Sequence, residues 1–155
     1  MPASVSLREI LDAFEMQSEE SQAFVDRERS EVHVVSNRVL GMVEECEPPD
    51  ELPDWQQHEY QLARSIVEAD RFLRLPSKFD IHEWEIMDRF SRSVTPEHLA
   101  EEFGSAIRGR GAFRMFKDAL RRHKLWDAWN EFRDRALREI AIDWCEESGL
   151  AYRDD

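Results

Sequence analysis

Cysteine, positive charge and long apolar runs are all in short supply in this 155-residue chain. Its two cysteines, Cys46 and Cys145, are too few and too far apart to build a disulfide framework, and neither sits in a Cys-x-x-Cys or zinc-type spacing. Nowhere do about 18 apolar residues follow one another, which excludes a membrane-spanning helix. The opening residues lack a basic region followed by an apolar run, so no signal peptide is expected. A reducing, cytoplasmic setting is the simplest compartment. Gly-x-Ser-x-Gly, Walker-type and dinucleotide-binding signatures are missing as well. Lys and Arg number 21 against 34 Asp and Glu, a formal charge of −13. That balance argues against a general nucleic-acid coat or a binder of anionic membranes, and it favours solubility or a basic partner.

What is present supports a folded chain. Five tryptophans and nine phenylalanines supply a core, within a composition that is 41% hydrophobic and 35% charged. The length fits a single domain spanning residues 1–155, which buries roughly 70% of its unfolded surface.

Local signals set out an α+β order. Ser6-Leu7-Arg8-Glu9 reads as a capping box, with Val5 and Ile10 at the positions of a hydrophobic staple. Leu7, Ile10, Leu11 and Phe14 then share one face of a helix ending near Met16. Residues 22–36 read as two short strands, because Val25, Val32, Val34 and Val35 flank a polar turn. That turn carries Arg29-Ser30 and no Gly or Asn, which leaves its type open. Residues 71–75, stopped by Pro76, offer a third strand to the hairpin. Residues 44–54 form an acidic, proline-rich loop, and a helix from Trp55 to Ala69 follows, with Leu62, Ala63, Ile66 and Val67 inward.

From Asp80 onward the pattern is helical, so a predominantly helical bundle follows the small antiparallel sheet. Ile81, Trp84, Met87, Phe90 and Val94 recur every three or four residues. Thr95 reads as the cap of a further helix with Pro96 at its first position, and Gly109 as that helix's C-terminal cap. Leu99, Phe103, Ala106 and Ile107 form its inner stripe. One helix is expected from Gly111 to His123 and a long one from Trp126 to Glu146, closed by Gly149. Trp126, Trp129, Phe132, Leu137, Ile140 and Trp144 read as a buried seam.

Four segments carry a resemblance to a known family. They are residues 73–76 with 79–90, residues 107–120 around Gly109-Arg110-Gly111-Ala112-Phe113, Trp129-Asn130-Glu131-Phe132-Arg133, and Asp143-Trp144-Cys145-Glu146-Glu147. Together they resemble the bacterial uncharacterised protein family 0158 over most of the chain. Relatives often place a glycine in the N-terminal hairpin turn, where this chain has Arg29-Ser30. The resemblance implies no activity and supplies no catalytic residue.

One block breaks the acidic trend. Residues 1–60 carry 4 basic and 15 acidic groups, whereas residues 108–124 carry 7 and 1, a local charge of +6. At about 100° per residue, Arg110, Arg114, Lys117, Arg121 and Lys124 fall within roughly 80° of arc, while Ala112, Phe113, Phe116, Ala119 and Leu120 gather on the core side. Arg108, Arg110 and Arg114 crowd the positive end of the helix dipole, which calls for an anion. The N–H groups beside Gly109 and Gly111 are suited to bind one. The competing reading is internal quenching, by Asp127, Glu131 and Asp134 on the next helix or Glu9, Asp12 and Glu15 on the first. With Phe113 and Phe116 facing the core, base stacking is not expected.

Other constellations are weaker. His58-Glu59, His82-Glu83 and His98-x-x-Glu101 offer ligand types but no three-ligand set, so no metal is assigned. Cys145 on an apolar helix reads as a packed thiol. No catalytic residue and no cofactor are nominated. The sequence therefore leads to a non-enzymatic binding or regulatory protein. Its contact surface would be Arg108, Gly109, Arg110, Gly111, Arg114, Lys117, Arg121 and Lys124, meeting phosphate, a nucleic-acid backbone or an acidic protein. Another protein is the favoured partner, nucleic acid is disfavoured by net charge, and oligomeric state is left open. The alternatives are an acidic mimic that engages a basic protein through residues 1–60, and a small enzyme built around His82 or His98 in a concave site.

Overall fold

Half of the capping box forms from the expected residues, and a carboxylate from the other end of the sequence joins it at the helix start. The computed structural model describes residues 3–47 and 49–155. Strand β1 (Val5–Ser6) runs directly into helix α1 (Leu7–Met16). The Ser6 hydroxyl accepts the Glu9 N–H at 3.2 Å. The carboxylate at this helix start is that of Asp155 rather than Glu9. It accepts the Ser6 hydroxyl at 2.7 Å and the Arg8 N–H at 3.2 Å. Strand β5 (Tyr152–Arg153), which the sequence pattern does not announce, pairs in parallel with β1 and delivers that carboxylate to the helix N-terminus. The helix dipole favours an anion there. The Ser6 bond, reinforced by the Arg8 N–H, holds the Asp155 carboxyl below its ordinary value.

The expected hairpin and third strand form one sheet. Strand β2 (Ser21–Asp26) lies between β3 (Glu31–Ser36) and β4 (Phe72–Arg74), antiparallel to both, with Val25 opposite Val32 on one side and Leu73 on the other. Asp26 organises the turn. One carboxylate oxygen accepts the N–H groups of Glu28 (3.0 Å) and Arg29 (3.2 Å), and the other pairs with Arg71 at 3.0 Å. Ser30 supplies the left-handed position, at φ 55°. A side chain there costs about 1–2 kcal/mol relative to an unstrained residue. Ser30→Gly should therefore raise stability by up to about 1 kcal/mol, after the added freedom of the unfolded chain is subtracted. A thermal melt checks this, and a lower midpoint for the variant would contradict it.

Helix α2 (Asn37–Glu44) occupies residues the hydrophobic pattern leaves unassigned, and the Ser36 hydroxyl caps it by accepting the Val39 N–H at 3.2 Å. Within the acidic loop a 3-10 turn spans Pro49–Glu51, and Pro48 lies outside the described residues. Helix α3 (Asp54–Glu68) follows. Val67 points outward instead of inward, because Tyr60 and Ala63 already fill the buried face. They pack with Val35, Val39, Leu40 and Leu52. The Tyr60 hydroxyl donates to the Glu47 carbonyl at 2.8 Å.

Packing divides the chain into two compact units, Met1–Asp80 with Ala141–Asp155, and Ile81–Ile140. Around the boundary lie a short helix, α4 (Lys78–Ile81), and a left-handed His82 at φ 55°. The second unit contains α5 (Glu83–Ser93), α6 (Glu97–Ala106), α7 (Ala112–Arg122) and most of α8 (Trp126–Glu147). Thr95 does not cap α6. That helix starts at Glu97 with Pro96 in the cap position and no side-chain cap bond, so the proline stands one residue ahead of the expected place. Phe90, Phe103, Phe116 and Trp129 make the core by edge-to-face contacts with ring centroids 4.8–6.2 Å apart.

The end of α8 matches its sequence signal. Gly149 is left-handed at φ 70°, and the Leu150 N–H returns to the Cys145 carbonyl at 2.8 Å. Cys145 is fully buried, and burial, helped by Glu146, pushes its thiol up to about 11. The architecture is α+β: a first helix and a small antiparallel sheet, then a mostly helical region. Among the described residues no helix is long and apolar enough to cross a membrane.

Candidate functional site

Three of the five phased cations stand on α7 itself. Gly111 takes a left-handed conformation at φ 71° and forms the N-cap, so Arg110 belongs to the turn before the helix. Lys124, left-handed at φ 57°, lies in the turn after it. The single five-cation rod is thus corrected to Arg114, Lys117 and Arg121 on one face, with Arg110 and Lys124 at its ends. Gly109 is not the cap of α6. That helix stops at Ala106, with Ile107 in the C-cap position, and Gly109 stands in open space in the following connection beside Arg108. The Trp84 indole N–H donates to the Ile107 carbonyl at 2.8 Å, which ties this connection to the start of α5.

The positive end of α7 is poorly compensated. Its first turn contains no acidic residue, and Gly111 offers no side-chain cap. The amides there are orphan donors in a region already made positive by the dipole and by Arg108, Arg110 and Arg114. Among the described residues, Arg108, Arg110, Arg114, Lys117 and Lys124 form no ion pair, and all are exposed. Arg121 has a loose partner in Asp118 at 3.7 Å and lies 5.4 Å from the centre of the Trp126 ring. The carboxylates of α8 do not quench the face. Asp134, for one, pairs along its own helix with Arg138 at 3.2 Å.

Below this face sits a tight cluster that spacing alone did not reveal. Glu102 of α6 holds both Arg122 and His123 at 2.6 Å. Desolvation opposes ionisation of Glu102, but its interactions with His123 and Arg122 outweigh it and hold the carboxyl below its ordinary value. Arg122, the remaining cation of the block, is exposed but has its charge paired by Glu102.

Two aromatic assignments need correction. Phe113 is 52% exposed and Trp126 is 37% exposed, whereas both were expected to face the core. Phe116, Ala119 and Leu120 already fill the inner side of α7, so Phe113, in the first turn, borders Lys117 on the outer side. Trp126 opens α8, one turn short of the aromatic cluster that Trp129 enters. Their position within the first turn of each helix was the signal available. The basic face therefore has aromatic neighbours.

The histidines do not converge. His82 breaks the chain between α4 and α5, and His98 is exposed on α6. Among the described residues no group of three His, Cys, Asp or Glu side chains could hold a metal ion. A groove of 590 Å³ between α5 and α6 has Asp88, Glu97 and Glu101 facing Arg92 and Arg108, so its signs are mixed.

The model of an uncharacterised protein family, UPF0158, matches residues 1–154. This chain belongs to that family. The UPF0158 membership covers the basic face and both packing units. A UPF0158 protein of Pseudomonas aeruginosa is 27% identical over 84 residues, which is 54% of this chain and 55% of that relative. The match therefore spans about half the length of the curated relative. No solved structure matches the chain.

Proposed function

We propose that this UPF0158 member is a binding or regulatory protein that meets an anionic partner through the α7 face. One observation carries the reading. Five exposed cations, Arg108, Arg110, Arg114, Lys117 and Lys124, have no carboxylate partner among the described residues, in a chain of net charge −13. Three of them crowd an uncapped helix start, and with Lys117 and Lys124 further along they form a local positive field that an anion relieves. An acidic protein surface fits this best, because the overall charge repels long polyanions. A second reading has a specific support: exposed Phe113 and Trp126 beside the cations give a single-stranded nucleic acid rings on which to stack.

Fluorescence anisotropy with two labelled probes, a polyglutamate peptide and an oligothymidylate, tests both. Combined Arg114→Glu, Lys117→Glu and Arg121→Glu should weaken binding at least about tenfold, and added salt should weaken the wild type. Phe113→Ala should weaken only the oligonucleotide if the second reading holds. Unchanged affinity in the triple variant, with an unaltered circular dichroism spectrum, would remove the α7 face from the proposal.

A further inference from the structure

A second candidate lies within the first unit. A cavity of 420 Å³ opens where the end of α1, the start of β2, the start of α2 and the end of β4 come together. Its size falls in the range of small-molecule sites. Gln17, the C-cap residue of α1, forms part of the wall and is only 5% exposed. Its side-chain oxygen is buried without a hydrogen bond, the single such atom among the described residues, and the amide nitrogen has no protein partner either. A buried acceptor left unpaired destabilises a fold, so the retention of this oxygen calls for an explanation.

The neighbouring groups indicate what would meet it. Arg74 and Lys78 line the same space, are exposed, and form no ion pair among the described residues. Phe79, 83% exposed, adds a flat apolar ring. Glu19 contributes a carboxylate. Part of the lining is held in place: Gln22 donates to the Asn37 side-chain oxygen at 2.5 Å, and Asn37 donates to the Glu19 carbonyl at 2.9 Å.

We infer that this cavity binds a purine nucleoside monophosphate. Arg74 and Lys78 match a phosphate, the first by paired hydrogen bonds and the second as a point charge. The Phe79 ring stacks a base. A side-chain amide with neither atom paired to protein has the donor–acceptor edge that pairs with adenine, and rotation about its soft terminal torsion would bring Oε1, buried in this structure, to the ligand. Glu19 accepts from ribose hydroxyls, the role a carboxylate plays toward nucleotide sugars elsewhere. The site is independent of the α7 face, and failure of one leaves the other standing.

Calorimetric titration and thermal melts of the full chain with adenosine monophosphate provide the test, with adenosine and inorganic phosphate as controls. Binding with a raised melting midpoint is expected, and each control should bind roughly tenfold more weakly or worse. Arg74→Glu, an exposed substitution, should weaken nucleotide binding at least about tenfold. Gln17→Met should raise the melting midpoint of the free protein while weakening the nucleotide, a pairing that a purely structural glutamine would not produce. No binding at millimolar nucleotide overturns the inference. So does equal affinity for phosphate alone, or a nucleotide affinity that Arg74→Glu leaves untouched.

Discussion

Phe116→Ala should destabilise the second unit by about 3–5 kcal/mol, the range for truncating a phenylalanine in a packed core. Phe116 is 1% exposed and meets the rings of Trp129, Phe103 and Phe90 at 4.8, 5.7 and 6.0 Å between centroids. No small shift of one neighbour fills that space, because the same rings also brace each other. Denaturant titration followed by tryptophan emission measures the loss, since Trp129 is in direct contact. Phe116→Leu should cost clearly less, as volume is largely kept. Arg114→Ala, fully on the outer side of the same helix, should stay within about 0.5 kcal/mol. A Phe116→Ala loss no larger than that of Arg114→Ala would mean that α7 does not pack as described.

Asp26→Ala should cost about 1–3 kcal/mol, the range for leaving hydrogen-bonding partners of a buried group unpaired, since Arg71 keeps part of its side chain in water. Asp26 is 1% exposed, and its removal takes away the Arg71 pair and frees the Glu28 and Arg29 amides of the hairpin turn. Burial by itself raises the Asp26 carboxyl. The Arg71 bond and the two turn amides outweigh burial and hold it below its ordinary value of 3.8. The folded carboxyl thus gives up its proton more readily than the unfolded one. Its contribution is complete above the unfolded value and disappears as pH falls through the lower, folded value. Stability measured from pH 6 down to about pH 2 should fall less steeply below about pH 4 for Asp26→Asn than for the wild type. Parallel curves would contradict the assignment of the turn to Asp26.

The parts that were readable in sequence are those set by neighbours in the chain. The α1 stripe, the β2–β3 hairpin, the third strand before Pro76 and the Gly149 closure depend on residues a few positions apart, and each formed. The misses have long-range causes. Asp155 caps α1 from 149 residues beyond Ser6, through a two-residue strand too short to leave a periodic signal. Helix α2 is brief and interrupted by Gly41, so its apolar pattern is thin. On the basic face, helical phase gave the shared side of Arg114, Lys117 and Arg121. It was blind to the left-handed turns at Gly111 and Lys124 that cut the helix short. Lys124 in particular carries no residue-type cue for that conformation. Exposure of Phe113 and Trp126 follows from where each helix begins, and a one-residue difference in a boundary moves a side chain by about 100°. The Gln17 cavity could not be foreseen, because its lining comes from three separated segments, residues 17–22, Asn37 and residues 74–79.

The most direct trial of the α7 proposal is affinity capture from the native cell, run in parallel with wild-type protein and with the Arg114→Glu, Lys117→Glu, Arg121→Glu variant, each with and without nuclease. The wild type should enrich a partner that the variant fails to hold, and survival of that partner through nuclease would make it an acidic protein rather than a nucleic acid. If the variant, folded as judged by circular dichroism, retains the same partners in the same amounts, the cationic face is not where this protein makes its contact.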